Sequence, residues 1–280
     1  MSRIDWSDKQ LEYLINNYKN TSRINMSKHL NMKKASIDSK MRSLNLKRGT
    51  VRKYSVNEHY FEKINTEEKA YWLGFLYADG CVLDNKTKLG VSNGKKLKLS
   101  LKEEDLEHLK KFNQCISSTY PIKEKIAKIQ EKEYKCCEIS ISNTKFVSFL
   151  INQNILPNKT YKTDIPNVDM VLFPHFLRGV IDGDGYIGII KSEKRTKYSV
   201  EIASYNKSIL EYIQKSLLEY NINCKIYSKS KDRDDYRLMF VAKEDVYNVL
   251  RLTYDKDLEE HMYLKRKFLK AQEVINQICA

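Results

Sequence analysis

The 280-residue chain lacks any run of 18 or more apolar residues, so the sequence predicts no membrane span. Its first residues, Met1–Trp6, also lack the apolar core of a signal peptide. The six cysteines include no CxxC pair, and the five histidines do not stand at zinc-ligand spacing from a cysteine pair. These absences disfavour a structural zinc site. They predict an intracellular, cytoplasmic protein with reduced thiols, of bacterial, phage or organellar origin.

Acidic residues are the minority charge. Lysine and arginine number 50 against 36 aspartates and glutamates, which gives a net charge of +14. Such a balance favours nucleic acid or another acidic partner, with general solubility as the alternative reading. The excess is concentrated at one end, because residues 1–55 hold 13 basic and 4 acidic side chains.

Residues 1–46 show the pattern of three short helices. Ser7 is suited to cap the first helix, and apolar residues then recur at helical spacing. A trihelical unit with a basic last helix is the form of a helix-turn-helix DNA reader, and the alternative is a basic bundle that binds nothing. The residues expected to contact DNA are Lys33, Lys34, Ser36, Ser39, Lys40 and Arg42.

The same segment resembles the Myb-like helix-turn-helix of phage and bacterial proteins. The resemblance is carried by Trp6, Leu14, Asn17-Tyr18, His29-Leu30 and residues 39–46. Residues 47–60 have little hydrophobic pattern and are interpreted as a basic linker that follows a phosphate backbone. Its candidate DNA contacts are Lys47, Arg48, Arg52 and Lys53.

Two segments of nine residues read almost alike: residues 72–80 are WLGFLYADG, and residues 177–185 are LRGVIDGDG. Each is an apolar, helix-like run with small residues four apart, and each ends in Asp-Gly. The repeated aspartates, Asp79 and Asp184, lie about one small domain apart along the chain. A duplicated unit with one acidic residue per copy predicts a symmetric site built from both copies.

Alternating and helical patterns around these segments repeat as helix, two strands, helix, two strands and helix. The predicted fold is therefore α+β, with a first half over 61–165 and a second half over 166–280. Small residues at a spacing of four let two helix backbones approach closely, so the two motif helices are expected to pack on each other. Gly80 and Gly185 suit the left-handed residue that ends a helix.

Asp79 and Asp184 are thereby placed at helix C-termini, where the helix dipole disfavours a carboxylate. Two neighbouring carboxylates also repel each other. A divalent cation between them removes both penalties, and Mg²⁺ binds through one or two carboxylates plus phosphate oxygens and water. Asp-Gly is also a common turn dipeptide, which is the alternative for either copy taken alone.

The chain resembles a single-chain LAGLIDADG homing endonuclease, because both segments match that nine-residue signature position by position. The resemblance implies two pseudo-symmetric αββαββα halves packed on their motif helices, preceded here by the small helical domain. It implies metal-dependent cleavage of double-stranded DNA at a long, non-palindromic target, with 3′ overhangs, by a monomer. Asp79 and Asp184 take the catalytic and metal-binding positions, with Mg²⁺ or Mn²⁺ as cofactor. The signature has aspartate at its sixth position. The first copy has Tyr77 instead, whereas the second copy has Asp182.

The family also uses basic residues near the scissile phosphates. Lys135 and Arg237 are expected to occupy equivalent positions in the two halves and to be these catalytic residues. The alternative is that they contact the DNA backbone. Alternation along two strands predicts further DNA-facing residues: Lys96, Lys98, Ser100, Lys102, Lys225, Tyr227, Lys229 and Lys231.

Two other functions stay open on the same scaffold, a non-cleaving DNA-binding regulator and an RNA-splicing maturase. Both aspartates are intact, which argues against a regulator. The N-terminal helices favour DNA, because they suit the major groove of B-form DNA rather than that of A-form RNA.

Overall fold

A computed structural model describes residues 5–46, 53–86, 92–129, 132–157, 164–191, 195–228, 235–255 and 257–280. The chain divides into two compact units, Met1–Tyr54 and Ser55–Ala280. Among the described residues, no helix has the length and apolar character needed to cross a membrane. Five predicted DNA contacts lie outside the described residues: Lys47, Arg48, Arg52, Lys229 and Lys231.

The N-terminal unit consists of three helices, α1 (Asp8–Asn17), α2 (Arg23–Leu30) and α3 (Lys34–Ser43). The Ser7 hydroxyl accepts a hydrogen bond from the Gln10 backbone N–H, and the Gln10 side chain accepts one from the Ser7 N–H, so α1 begins with a capping box. Apolar residues from all three helices form one small core: Leu14, Met26, Leu30, Ile37 and Met41.

The larger unit is α+β and contains the same succession of elements twice. The first half comprises α4 (Glu67–Asp79), β1 (Gly80–Lys86), β2 (Ser92–Lys102), α5 (Leu106–Cys115), β3 (Ile122–Ile129), β4 (Lys132–Ile141) and α6 (Thr144–Asn152). The second comprises α7 (Phe173–Asp184), β5 (Gly185–Lys191), β6 (Thr196–Ser204), α8 (Lys207–Leu218), β7 (Lys225–Ser228), β8 (Tyr236–Phe240) and α9 (Lys243–Thr253). A last helix, α10 (Lys265–Cys279), follows the second half.

Each half holds a four-stranded antiparallel sheet, with strand orders β1-β2-β4-β3 and β5-β6-β8-β7. The registers also agree, because Gly80 pairs with Leu99 in one sheet and Gly185 pairs with Ile202 in the other. One face of each sheet is apolar and buried under the helices. The opposite face is polar, as the alternation of strand side chains requires.

Residues 55–60, which the sequence places at the end of the linker, pack on the larger unit. The Ser55 N–H donates to the Thr119 hydroxyl at 2.8 Å, and the Thr119 N–H donates to the Ser55 carbonyl at 3.0 Å. Val56 and Tyr60 are buried. This short segment therefore belongs to the larger unit.

The two motif helices, α4 and α7, touch backbone to backbone. A Cβ atom at Gly74 would lie 2.0 Å from the Phe176 carbonyl oxygen, and one at Gly179 would lie 2.1 Å from the Tyr71 carbonyl oxygen. Position 71 corresponds to 176, and position 74 to 179, so the two contacts are related by a pseudo-two-fold axis. Reciprocal contacts of this kind define a two-fold interface. The predicted packing of the motif helices on each other is confirmed.

Because the helix contact has no room for a methyl group, Gly179→Ala should force α4 and α7 apart. We expect a loss of about 1–3 kcal/mol in the free energy of unfolding, measured by urea denaturation. Gly188→Ala is the matched control, since the three atoms nearest to its Cβ would all belong to the exposed Tyr186 ring, which can turn away. Equal losses in the two variants would contradict the packing role of Gly179.

Candidate active site at the ends of the motif helices

The pseudo-two-fold axis passes between Ala78 and Gly183, which occupy the same position in the two motifs. A Cβ at Gly183 would lie 2.4 Å from the Ala78 Cβ, so one of the two positions has to be glycine. The same Cβ would lie 3.4 Å from Oδ2 of Asp79. Asp184 is the next residue after Gly183, and both aspartates are exposed. The close helix contact thus brings one carboxylate from each half to the axis.

Both motif helices end at the aspartate, and the following glycine enters a strand directly. Gly80 has φ −72° and ψ 137°, and Gly185 has φ −85° and ψ 160°. The prediction of left-handed caps is therefore wrong. Glycine is needed for another reason, because a Cβ at either position would lie 2.5 Å from the carbonyl oxygen four residues earlier.

A cleft opens beside Asp184 between the two halves of the larger unit. It is lined by Tyr77, Ala78, Asp184, Ala203, Ser204, Tyr205, Asn206 and Asp235. Burial, aided by the Asp184 carboxylate, raises the pKa of Tyr77 to about 12, so its phenol stays neutral at physiological pH. The Tyr77 oxygen accepts a hydrogen bond from Asn206 Nδ2 at 3.1 Å. Hydroxyl, amide and carboxylate groups therefore face one open, polar space.

A buried cation, Lys267 on α10, lies close to both aspartates. Its ammonium donates to the carbonyl oxygens of Ile181, at 3.4 Å, and Gly185, so it caps the C-terminal end of α7. Burial and the neighbouring Arg266 lower the pKa of Lys267, while the carboxylate of Asp182 and, after it, those of Asp79 and Asp184 act to raise it. The sequence interpretation missed this residue. The pattern that could have identified it is the helical spacing of Lys267, Ala271 and Val274, which puts all three on the buried face of α10.

Asp182 occupies the same position in the second motif as Tyr77 in the first, and it is fully buried. Its carboxylate accepts three hydrogen bonds, from the Tyr71 hydroxyl at 2.8 Å, the Tyr254 hydroxyl at 2.6 Å and the Leu264 N–H at 2.8 Å. Burial raises the pKa of Asp182 to about 6 in spite of these donors. Its contacts are therefore those of a structural group that joins α4, α7 and the segment before α10.

Arg178 lies one turn earlier on α7 and holds the same segment. Its guanidinium donates to the Met262 carbonyl at 2.6 Å and to the Thr253 carbonyl at 3.0 Å. The guanidinium carbon lies 5.3 Å from the centre of the Tyr71 ring, within the range of a cation–π contact. Arg178 and Asp182 together fix the chain between α9 and α10, and hence the position of Lys267.

The expected correspondence between Lys135 and Arg237 is wrong. The sheet register pairs Leu99 with Ile139 in the first half and Ile202 with Leu238 in the second, so Arg237 takes the place of Glu138. The sequence suggested the match because a tyrosine precedes each residue, in Tyr134-Lys135 and Tyr236-Arg237. The two pairs stand at different points of their strands, since β4 begins three residues before Lys135, whereas Arg237 is the second residue of β8.

Their ion pairs differ as well. Lys135 Nζ lies 3.8 Å from a Glu103 carboxylate oxygen, and Arg237 Nη1 lies 3.1 Å from a Glu201 oxygen. By alternation, Lys135 shares the sheet face of the buried Cys137 and Ile139. It is therefore on the face opposite to the polar face of β2.

The predicted basic row on β2 is present on a single face. Leu97, Leu99 and Leu101 are buried, and the intervening side chains lie on the polar face: Lys96, Lys98, Ser100 and Lys102. The acidic Glu138 on β4 interrupts this face and accepts hydrogen bonds from Ser100 and Lys125. Burial acts to raise the pKa of Glu138, but these hydrogen bonds and the charge of Lys125 outweigh it and lower the pKa. In the second sheet, Lys225 and Tyr227 are exposed on the corresponding face of β7.

The basic third helix of the N-terminal unit presents several of its predicted contacts to solvent. Lys33, Lys34, Ser39 and Arg42 are exposed, while Ser36 and Lys40 are half-buried. The Lys40 ammonium lies 6.0 Å from the centre of the Trp6 ring. Lys53, the described residue among the predicted linker contacts, lies with its ammonium 5.3 Å from the centre of the Tyr54 ring.

Comparison with known proteins identifies the architecture. Residues 175–253 match the family described as a LAGLIDADG-like domain. The LAGLIDADG homing endonuclease I-GzeII in complex with its DNA target is 13% identical, with a TM-score of 0.52 over 77% of this chain and 91% of that one. The meganuclease I-SmaMI bound to uncleavable DNA is also 13% identical, with a TM-score of 0.51 over 78% and 90%. A comparison with curated proteins gives no match. These likenesses establish the fold as two LAGLIDADG-type halves.

The buried carboxylate of Asp182 makes the loss of one of its donors costly. Tyr254→Phe should lower the free energy of unfolding by about 1.5–3 kcal/mol, because hydrogen bonds to charged groups contribute that much. Tyr134→Phe is the control, since Tyr134 is an exposed strand residue. Urea denaturation of both variants measures the difference. A Tyr254→Phe variant as stable as Tyr134→Phe would show that Asp182 does not depend on this contact.

Proposed function

We propose that this protein is a homing endonuclease, a metal-dependent phosphodiesterase that makes a double-strand break at a long, non-palindromic DNA target and leaves 3′ overhangs. The observation that carries the proposal is the backbone contact of α4 and α7. It brings Asp79 and Asp184 together at the pseudo-two-fold axis, with one carboxylate from each half. Two halves that each offer one acid suit a duplex with two strands to cut.

The donor set fits a hard divalent cation. Asp79 and Asp184 supply carboxylate oxygens on an exposed edge, where phosphate oxygens and water can complete the coordination, as Mg²⁺ and Mn²⁺ prefer. When bound, such a cation lowers the pKa of a coordinated water and stabilises charge on the phosphoryl oxygens. The chain itself holds the two carboxylates at a fixed separation through the helix contact. Lys267 offsets their mutual repulsion from the buried side.

DNA binding is assigned to the polar sheet faces and to the N-terminal unit. The row on β2 and the exposed Lys225 and Tyr227 on β7 offer backbone and base contacts to duplex DNA. The basic α3 extends the footprint as a helix-turn-helix reader, and the linker residues follow the phosphate backbone. A single chain with internal symmetry needs no second copy, so we propose that it acts as a monomer.

A cleavage selection with Mg²⁺ against a randomised double-stranded DNA library tests the activity. On the selected site, Asp79→Asn and Asp184→Asn should each abolish double-strand cleavage and leave binding largely intact, since the amide keeps the shape but not the charge. Asp169→Asn, at an exposed aspartate away from the axis, is the control and should cut at the wild-type rate.

Two outcomes would contradict the proposal. Near wild-type cutting of both strands by either variant would remove Asp79 or Asp184 from the site. Tight, sequence-specific binding without any metal-dependent cutting would instead favour a DNA-binding regulator, and selective binding of structured RNA would favour a maturase.

Three basic residues can be ranked by single-turnover cleavage at saturating enzyme. Lys267→Met should slow the cleavage step about 10²-fold and shift the Mg²⁺ concentration that gives half-maximal rate, because it changes the charge beside both carboxylates. Arg237→Met should slow one strand more than the other, whereas Lys135→Met should slow cleavage less, because Lys135 lies on the sheet face opposite to the basic row of β2 and its position is not equivalent to that of Arg237.

Lys270→Met is the control on the same helix, where Lys270 forms an exposed ion pair with Glu273. Weaker DNA affinity at an unchanged single-turnover rate would reassign Lys135 or Arg237 to backbone contact. For Lys267, an unchanged Mg²⁺ dependence would leave it a purely structural cap of α7.

A further inference from the structure

A second group of metal-binding side chains lies at the other end of α4, away from the two aspartates. Glu68 is the second residue of α4, Cys115 is the last residue of α5, and His261 belongs to the 3₁₀ segment Glu260–Met262 before α10. One ligand atom from each of the three lies within 4.8 Å of the others. The three residues are far apart in sequence, so no motif with metal-ligand spacing could predict the cluster.

The distances within the cluster are close to those that a small cation requires. His261 Nε2 lies 2.9 Å from Glu68 Oε2. Around a tetrahedral Zn²⁺, bonds of about 2.0–2.1 Å to nitrogen and oxygen put such a pair roughly 3.3 Å apart. A shift of a few tenths of an ångström therefore admits the ion between them. Glu68 and His261 are each 31% exposed, which leaves an entry path and space for water as a fourth ligand.

Two ligands are already oriented by partners behind them. His261 Nδ1 lies 3.3 Å from a Glu259 carboxylate oxygen, which leaves Nε2 directed at the cluster. The Tyr60 hydroxyl donates to the other oxygen of Glu68. A histidine whose second nitrogen is held by a carboxylate is the usual arrangement behind a protein-bound zinc ion.

Cys115 has a partner that suits a metal-bound thiolate. The Trp72 indole N–H is buried and, among the described residues, has no oxygen or nitrogen acceptor within hydrogen-bond distance. It faces the Cys115 sulfur, and a donor in that position suits a thiolate, the form in which cysteine binds zinc. Zinc binding requires the deprotonated sulfur, and the cation balances its charge.

We infer that Glu68, Cys115 and His261 bind one structural Zn²⁺, because thiolate, imidazole and carboxylate together are the ligand set of zinc rather than of magnesium. The thiol proton is released to solvent on binding. The ion joins α4, α5 and the segment that leads to α10. Eleven residues of α4 separate it from Asp79, about 16 Å along the helix, so this site is distinct from the nuclease site. The sequence disfavoured a structural zinc site because it lacks a cysteine pair with histidines at ligand spacing. The site inferred here uses a single cysteine and so does not depend on such a pair.

Cobalt titration of the full-length, chelator-treated protein tests the inference without DNA. Excess Mg²⁺ is present throughout to occupy the aspartate pair. One equivalent of Co²⁺ should produce a thiolate-to-metal charge-transfer band together with the visible bands of a tetrahedral site, and one equivalent of Zn²⁺ should remove both. Cys115→Ser should lose the charge-transfer band, and Glu259→Gln should weaken binding about 10- to 100-fold.

Matched controls separate this site from other cysteines and histidines. Cys224→Ser removes another half-buried thiol whose pKa burial raises to about 12, and it should keep the full band. His59→Gln removes an exposed histidine paired with Glu62 and should also bind one equivalent. Absence of the band in the wild-type protein would overturn the inference and leave a metal-free cluster. An undiminished band in Cys115→Ser would do the same by placing the metal on another thiol. Neither result bears on DNA cleavage.

Discussion

The backbone contact between α4 and α7 is the constraint on which the rest of the larger unit depends. Glycines at positions 74, 179 and 183 remove the side chains that would keep the helices apart. The contact relates the two halves by a pseudo-two-fold axis, and the last residue of each helix then meets its counterpart at that axis. The separation of the two carboxylates is therefore set by helix packing rather than by a flexible loop.

The two copies of the motif have diverged into different tasks. In the second copy, Arg178 and Asp182 bind the segment between α9 and α10 through buried hydrogen bonds, and this fixes Lys267 under the end of α7. In the first copy the equivalent of Asp182 is Tyr77, which faces the cleft and Asn206. The sheets differ too, because Arg237 and Glu201 replace Glu138 and Lys98 with the charges exchanged. Such asymmetry is consistent with the proposal of a non-palindromic DNA target.

Local pattern was enough to predict much of this fold. Apolar spacing with Ser7 as cap predicted α1, the repeated nine-residue segments predicted two packed helices, and alternation predicted the polar face of β2. Two features could not be predicted from the sequence: the register of the strands in each sheet, and the contacts between residues far apart in the chain. The equivalence of Arg237 in the second half to Glu138 in the first depends on where each strand begins. The position of Lys267 depends on hydrogen bonds from α7 to a segment about eighty residues later. The cluster of Glu68, Cys115 and His261 is assembled only by folding.

Crystals of the protein with its DNA target and Mn²⁺ give the most direct test of the central claim, that the two halves share one metal-dependent site. Anomalous scattering locates manganese without reference to the protein chain. The account predicts anomalous density between the carboxylates of Asp79 and Asp184, against the phosphates of the duplex. Manganese bound elsewhere, with these two carboxylates free of metal in the DNA complex, would contradict it.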